Sequence, residues 1–251
     1  MASASEAKRT RPSGLDALVH IINLATLGLG TIISMAVDSD GTRFVCTTWA
    51  LYALSPNGME LLITGHKTEV GFANVDEDKA RFECPCGIAL DGKGNALVAD
   101  TNNHMLRKVA LRCGTVSTLA GSGEPGYRDG MHAAACFDNP WGIVVDVQGT
   151  IFVADCWKHC LRRMEPANGV VSTLAGDGEK SGDFADGQSA SARFHHPRGL
   201  AVDTDGHLIV ALTTVAGSAE QGKVNGTGVS VRFSRPSDVV LDEQGAGGPG
   251  M

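Results

Sequence analysis

The chain has 251 residues, of which 43% are hydrophobic and 20% are charged, and its formal net charge at pH 7 is −7. This length predicts one domain, and the acidic balance argues against a generally basic, phosphate-binding surface. The seven cysteines are odd in number and lack the spacing of a disulfide framework, which favours reduced thiols and a cytoplasmic, intracellular location.

Residues 1–30 are predicted to form a flexible N-terminal segment that contains one stray strand. The apolar stretch 17–37 includes His20, Asn23 and two glycines, and it runs directly into the next predicted strand. A strand at 21–27 is therefore favoured over a membrane-spanning helix. We expect no membrane association.

A ten-residue motif of the form Phe-x-x-Pro-x-Gly, three apolar residues and Asp occurs three times, and a fourth copy begins at Phe233. The three copies are Phe82–Asp91, Phe137–Asp146 and Phe194–Asp203. The first phenylalanines of successive copies are 55, 57 and then 39 residues apart. Repetition at this spacing indicates that each unit is one supersecondary module packed on its neighbours.

Each full unit is predicted to contain four strands, and residues 34–65 are interpreted as a diverged earlier unit. The second strands, 96–99 and 151–154, are continuously apolar, which predicts sheets that are covered on both faces. The Asp-x-x-Gly segments that follow the motif are predicted to be hairpin turns rather than acid pairs. Four-stranded sheets in tandem indicate a β-propeller. A β-sandwich is the alternative, but it does not explain the repeat.

The repeated motif, together with the segment 98–109, resembles the NHL repeat. The linkers 119–130 and 174–187 are similar to those of bacterial and of plant or algal NHL proteins. The resemblance covers roughly residues 31–245. It implies an all-β fold, a propeller built of NHL-like four-stranded blades, most often six in number.

Only about four to five such units are present, so the propeller is expected to be incomplete or open. The fourth copy lacks a counterpart of residues 155–170, and the fifth ends after its first strand and turn. This pattern favours a fragment or an abbreviated product of a longer algal or plant NHL protein; a compact propeller with one degenerate blade is the alternative. Within the repeat domain, 31–245, the predicted units are 34–81, 82–136, 137–193, 194–232 (truncated) and 233–245 (partial), followed by a glycine-rich tail, 246–251.

The most polar part of each unit is the Asp-x-x-x-His segment and the basic strand after it. These loops converge on one face of a propeller, where they would meet a ligand. Every intact copy carries them, however, which favours a structural role in hydrogen bonds to the hairpin and the neighbouring blade, and in ion pairs between blades. The candidate binding residues are Asn103, His104, Arg107, Trp141, Trp157, Lys158, His159 and Arg162.

No catalytic residue, metal site or cofactor is predicted. The segment 156–160 offers two cysteines and one histidine, but it lacks the paired Cys-x-x-Cys spacing of a structural zinc site. Cys156 is expected to be a small buried side chain. His195 and His196 are expected to be variants of a loop position.

The NHL resemblance implies a protein-interaction scaffold that uses its loop faces, with a protein as partner. In relatives of this kind the propeller recruits substrates to ubiquitin-ligase-type assemblies. The first alternative is an RNA-binding NHL propeller, because the third strands are basic and two tryptophans lie near them. The second is a metal-dependent lyase or hydrolase of the NHL-like type. An enzyme is the less favoured reading, and no DNA partner is expected.

Overall fold

The computed structural model describes residues 31–57, 59–66, 69, 71–74, 80–178, 192–203 and 205–210, and within these it is all-β. The expected strand at 21–27 and the fourth and fifth copies beyond residue 210 lie outside the described residues. Among the described residues, no helix has the length and hydropathy of a membrane span.

The first two units each form a four-stranded antiparallel sheet in which neighbours in sequence are neighbours in space. The first sheet consists of β1 (Ile32–Val37), β2 (Arg43–Thr47), β3 (Ala50–Leu54) and β4 (Glu60–Gly65). The second consists of β5 (Pro85–Leu90), β6 (Asn95–Asp100), β7 (Met105–Ala110) and β8 (Val116–Ala120). These are the four-stranded blades that the repeats predict.

The third unit adds a short outer strand to the same plan, and the fourth is described only over its first hairpin. The third sheet has the order β10-β11-β12-β13-β9. Its strands are β9 (Gly130–Met131), β10 (Pro140–Val145), β11 (Ile151–Asp155), β12 (Cys160–Met164) and β13 (Val170–Ala175). The fourth hairpin pairs β14 (Leu200–Val202) with β15 (Leu208–Val210).

The second sheet is covered on both faces, as its continuous apolar strands predict. Along β6, Ala96 and Val98 pack with the first blade, whereas Leu97 and Ala99 pack with the third. Successive side chains of a strand point to opposite faces, so an apolar run places every second residue in each of the two interfaces between blades. The core of the protein therefore lies between the sheets.

The innermost strands lie side by side and leave no room for side chains at two glycines. β5 contacts both β1 and β10, and β10 also contacts β14. A Cβ atom at Gly87 would overlap the carbonyl oxygen of Trp141, and one at Gly142 would overlap the carbonyl oxygen of Arg198. The glycine of the repeated motif is therefore required by close backbone approach between blades.

The Asp-x-x-Gly segments are hairpin turns, which confirms that prediction. The Oδ1 atom of Asp91 accepts hydrogen bonds from the backbone N–H groups of Lys93 (2.8 Å) and Asn95 (3.0 Å). Asp203 accepts the same two bonds in the fourth unit. The turn explains why Asp203 lies beside His207 without any need for a metal ion.

Candidate binding face

An arginine on β7 is completely buried where the linker from the first blade meets the second blade. The Nη1 atom of Arg107, on β7, lies 2.7 Å from Oδ2 of Asp100, and neither side chain is exposed to solvent. The guanidinium carbon lies 4.9 Å from the ring centre of Phe72 and 5.3 Å from that of Phe82. The cation therefore lies against two aromatic rings and is neutralised by one carboxylate.

The same guanidinium group holds the linker that leads into the blade. Nη1 also donates to the carbonyl oxygen of Arg81 (3.2 Å), and Nη2 donates to the carbonyl oxygen of Ala73 and to Oδ1 of Asn74 (both 2.7 Å). Backbone carbonyls that a linker turns away from water must find partners. Arg107 supplies them from a single side chain.

The third blade repeats this arrangement around Arg162. Its Nη1 atom lies 2.9 Å from Oδ2 of Asp155, and its Nη2 atom lies 2.8 Å from Oδ1 of Asp129 in the preceding linker. The guanidinium carbon lies 5.2 Å from the ring centre of Tyr127 and 5.3 Å from that of Phe137. We call this unit of Arg, Asp and two aromatic rings the linker clamp.

The linker clamp corrects one expectation from the sequence. The repeated arginines were expected to pair with acids of another blade, but Asp100 and Asp155 belong to the same sheets as Arg107 and Arg162. The distant partners of these arginines are linker groups 34 and 33 residues earlier, and only Arg162 pairs there with an acid, Asp129, which lies in the predicted unit 82–136. In this conformation neither guanidinium group is accessible to a ligand at the surface.

The two clamp carboxyl groups lie in an environment that disfavours their charge. Burial raises the pKa of Asp100 to about 6, although Arg107 and the N–H group of Glu83 act in the opposite direction. Burial likewise raises the pKa of Asp155 to about 7. The arginine and the donated hydrogen bonds offset part of the desolvation of these carboxylates.

The repeated histidines join each blade to the next. His104 follows the 3₁₀ turn Thr101–Asn103 with φ +53°, and its Nδ1 atom accepts a hydrogen bond from the backbone N–H of Asn139 (3.2 Å). His159 accepts the equivalent bond from His196 (3.1 Å). Both histidines therefore fix the start of the following blade, as the structural reading of the repeat predicts.

Two further candidates are engaged in contacts within the protein. The Nδ2 atom of Asn103 donates to the carbonyl oxygen of Gly71 (2.8 Å) and to Oδ2 of Asp100 (3.0 Å). The Nζ atom of Lys158 lies 3.2 Å from Oδ2 of Asp138.

The two tryptophans lie in different places. The guanidinium carbon of Arg198 stacks 4.2 Å from the ring centre of Trp141, beside the central cavity. Trp157, in contrast, is 58% exposed on the turn between β11 and β12. Of the eight candidates, Trp157 presents the largest exposed apolar side chain.

A cluster of histidines beside this turn was not predicted. The ring of His159 lies 4.4 Å from that of His196 and 5.7 Å from that of His195, measured between ring centres. Burial lowers the pKa of His159, and the neighbouring imidazoles lower it further. Buried Cys156 places its Sγ atom 3.7 Å from Nδ1 of His196. The two segments are far apart in sequence, and only their equivalence in successive repeats signals that they meet.

A central cavity of about 400 Å³ lies among the innermost strands. Backbone and apolar side chains of β1, β5 and β10 form most of its lining, with Cys86, Trp141 and Arg198 as the larger or reactive groups. Within the described part of the chain, no Asp, Glu or His side chain lines this cavity.

Comparison with known sequences identifies the repeat. The NHL repeat family model matches residues 137–164, which include Asp155 and Arg162 of the second linker clamp. The chain therefore contains an NHL repeat at residues 137–164. This NHL protein is 32% identical over 168 residues to the Arabidopsis thaliana protein SUPPRESSOR OF QUENCHING 1, chloroplastic, and 30% identical over 168 residues to chicken (Gallus gallus) NHL repeat-containing protein 2.

The similarity covers 62% of this NHL protein but only 16% and 23% of those two relatives, so the chain spans a small part of their length. Among solved structures it resembles a Bacteroides thetaiotaomicron protein of unknown function, with a TM-score of 0.63 and 21% identity over 74% of this chain and 46% of that one. A nidogen/laminin complex gives a TM-score of 0.51 at 18% identity, over 74% of this chain and 58% of that one. These likenesses support the propeller fold.

Proposed function

We propose that this NHL protein is a protein-interaction scaffold whose partner contacts the loop face around Trp157. The observation that carries the proposal is the exposure of this tryptophan on a turn that is itself fixed. The backbone N–H of Trp157 donates to the carbonyl oxygen of Asp138 (3.1 Å), and the turn is followed by His159, which is bonded to the next blade. A rigid, exposed aromatic anchor beside polar groups is typical of the energetic centre of a protein interface.

Comparison of the blades supports this assignment. The second blade has Asn102 at the position of Trp157, also exposed, on a 3₁₀ turn with the same backbone conformation. The tryptophan is therefore not needed to form the turn. More than half of its side chain is exposed to solvent, whereas the repeated Asp, His and Arg side chains are used to hold the blades together.

RNA binding is the less favoured alternative. Arg107 and Arg162, the most regular basic residues of the repeat, are completely buried. Arg163 is more exposed, but it lies 2.7 Å from Glu165. Since nucleic-acid affinity depends on accessible cations that neutralise phosphates, the described face offers few groups for this purpose on a chain whose net charge is −7.

A metal-dependent lyase or hydrolase is also less favoured, because the described lining of the central cavity offers neither carboxylates nor imidazoles. Within the scaffold proposal, the more specific role of recruiting substrates to a ubiquitin-ligase-type assembly rests on the NHL resemblance. The cytoplasmic location is likewise a proposal, supported by the odd number of cysteines and their lack of a framework spacing.

The test is site-specific crosslinking from turns at the two opposite ends of the third sheet. A photoreactive amino acid is placed in cells at position 157, or at position 147, where Val147 is 94% exposed in the hairpin turn at the other end of the sheet. We expect a discrete protein adduct from position 157 and none from position 147. For the purified partner, Trp157→Ala is expected to weaken binding about 30-fold, as loss of a hot spot does, and Val147→Ala less than twofold. Equal crosslinking or equal affinity for the two variants would contradict the proposal.

A further inference from the structure

Two cysteine sulfurs are in contact on the loop that leads into β5. The Sγ atom of Cys84 lies 3.5 Å from Sγ of Cys86, and only Pro85 separates the two residues in sequence. All seven cysteines lie within the described residues and are reduced. By contrast, the sulfur of Cys136 lies 3.3 Å from Oγ of Ser122, and that of Cys156 lies 3.7 Å from Nδ1 of His196.

The backbone holds Cys84 in an uncommon conformation. Its φ is +53°, and the equivalent residues of the next two units, Asn139 and His196, have φ +53° and +48°. Asparagine tolerates this left-handed region, whereas cysteine gains nothing from it. The N–H of Cys84 donates to the carbonyl oxygen of Thr48 in the first blade (3.0 Å), which fixes the position of the thiol.

The two thiols differ in their access to solvent. Cys84 is partly exposed on the loop face, and Cys86 is only 3% exposed and lies beside the central cavity. An external reagent can therefore reach the first sulfur and not the second. The second sulfur can still reach the first, since the two are already in contact.

The contact also favours ionisation of the accessible thiol. The hydrogen bond from the Cys86 thiol lowers the pKa of Cys84 to about 7, although burial and the charges of Asp100 and Glu83 act in the opposite direction. The same interaction, together with burial, raises the pKa of Cys86. The thiolate is the nucleophile in thiol–disulfide exchange, so Cys84 is the sulfur that attacks.

We propose that Cys84 and Cys86 form a dithiol–disulfide pair that exchanges two electrons with the disulfides of other molecules. The Cys84 thiolate attacks one sulfur of the external disulfide, whose S–S bond breaks and releases one thiol. Cys86 loses its proton and attacks Sγ of Cys84 in the mixed disulfide, which forms the Cys84–Cys86 bond and releases the second thiol. The pair loses two electrons and two protons, and the external disulfide gains them.

The geometry requires only a small movement. The sulfurs must close from 3.5 Å to the disulfide bond length of about 2.0 Å, a distance that side-chain rotation supplies. Transient disulfides of this kind usually serve catalysis or redox sensing. This inference does not depend on Trp157 or on the identity of a partner.

The experiment uses the purified, reduced full chain and oxidised glutathione as the disulfide. After incubation, free thiols are blocked with iodoacetamide, and the masses of the tryptic peptides are measured by mass spectrometry. The peptide 82–93 contains both cysteines, and the peptide that begins at Cys113, an exposed cysteine, is the internal control. We expect peptide 82–93 to become lighter by two hydrogens and to escape alkylation. At pH 7 this should occur at a rate about tenfold above the modification of Cys113, because the pKa of about 7 at Cys84 makes its thiolate abundant.

Two variants separate the steps. Cys86→Ser is expected to accumulate a stable glutathione adduct on Cys84, because the resolving sulfur is absent, and Cys84→Ser is expected to form no adduct on Cys86. Circular dichroism establishes whether each variant is folded. The peptide map of the wild type tests the proposal even if a variant does not fold. The proposal is overturned if peptide 82–93 is alkylated on both cysteines like Cys113, or if the wild type retains the glutathione adduct on Cys84.

Discussion

Arg107 and Asp100 form an ion pair of 2.7 Å from which solvent is fully excluded. Arg162 and Asp155 repeat it in the next blade at 2.9 Å. The Nε atoms of both arginines lack a hydrogen-bond partner among the described residues, so the groups are held by their Nη atoms and by ring stacking. The Arg and Asp residues that recur in the second and third units therefore attach a linker to its blade, and we infer that residues that differ between these units, such as Trp157, are left for recognition.

Replacing His104 by alanine is expected to loosen the junction between the second and third blades. The substitution removes the acceptor of the Asn139 N–H and leaves that donor unsatisfied, at a cost of about 1–3 kcal/mol in the free energy of unfolding. Val147→Ala, at a 94% exposed position of the third blade, is the control and should change it by less than about 0.5 kcal/mol. Urea unfolding measures both, and similar losses for the two variants would refute the role of His104.

Gly142 is expected to tolerate no side chain. An added Cβ atom would overlap the Arg198 carbonyl of the neighbouring innermost strand, so Gly142→Ala should cost more than about 3 kcal/mol, the upper end for ordinary substitutions. Gly94→Ala is the control, since its φ of +84° is unfavourable but nothing lies within 4 Å; it should cost about 1–2 kcal/mol. If the two variants unfold at the same urea concentration, the close approach of the strands is wrong.

The pH dependence of alkylation tests the environment of Cys84. Because its pKa is lowered to about 7, the thiolate is present above that pH and is lost as the pH falls through it. The rate of reaction with iodoacetamide at Cys84 should be half-maximal near pH 7 and should shift to higher pH in Cys86→Ala, which lacks the donor. A profile that is the same in both proteins would show that Cys86 does not act on Cys84.

The strands were predictable because their signals are local and repeated. The predicted strands 96–99 and 151–154 lie within β6 and β11, and the predicted turn at Asp91 has the expected hydrogen bonds. β9 was missed, since a two-residue strand carries no pattern of its own. The strand that it pairs with, β13, begins nearly 40 residues later.

The candidate site was harder to predict, since its contacts join residues that are distant in sequence. The rings beside Arg107 belong to Phe72 and Phe82, and the first of these lies in the linker, as Tyr127 does beside Arg162. An arginine that is free on a strand and one that is enclosed by a linker have the same local sequence. Burial of the guanidinium group is therefore seen only in the three-dimensional structure. It removes Arg107 and Arg162 as candidates for ligand contact and leaves Trp157.

The most direct test of the linker clamp is the free energy of unfolding, measured in urea, of Arg162→Met and Arg163→Met. The two arginines are neighbours on β12, but the first is fully buried against Asp155 and the side chain of the second is 44% exposed beside Glu165. Removal of the buried partner should cost about 3–5 kcal/mol because Asp155 is left without its cation, and removal of the exposed one about 0–1 kcal/mol. Equal stability of the two variants would contradict the conclusion that the repeated arginines hold the propeller together.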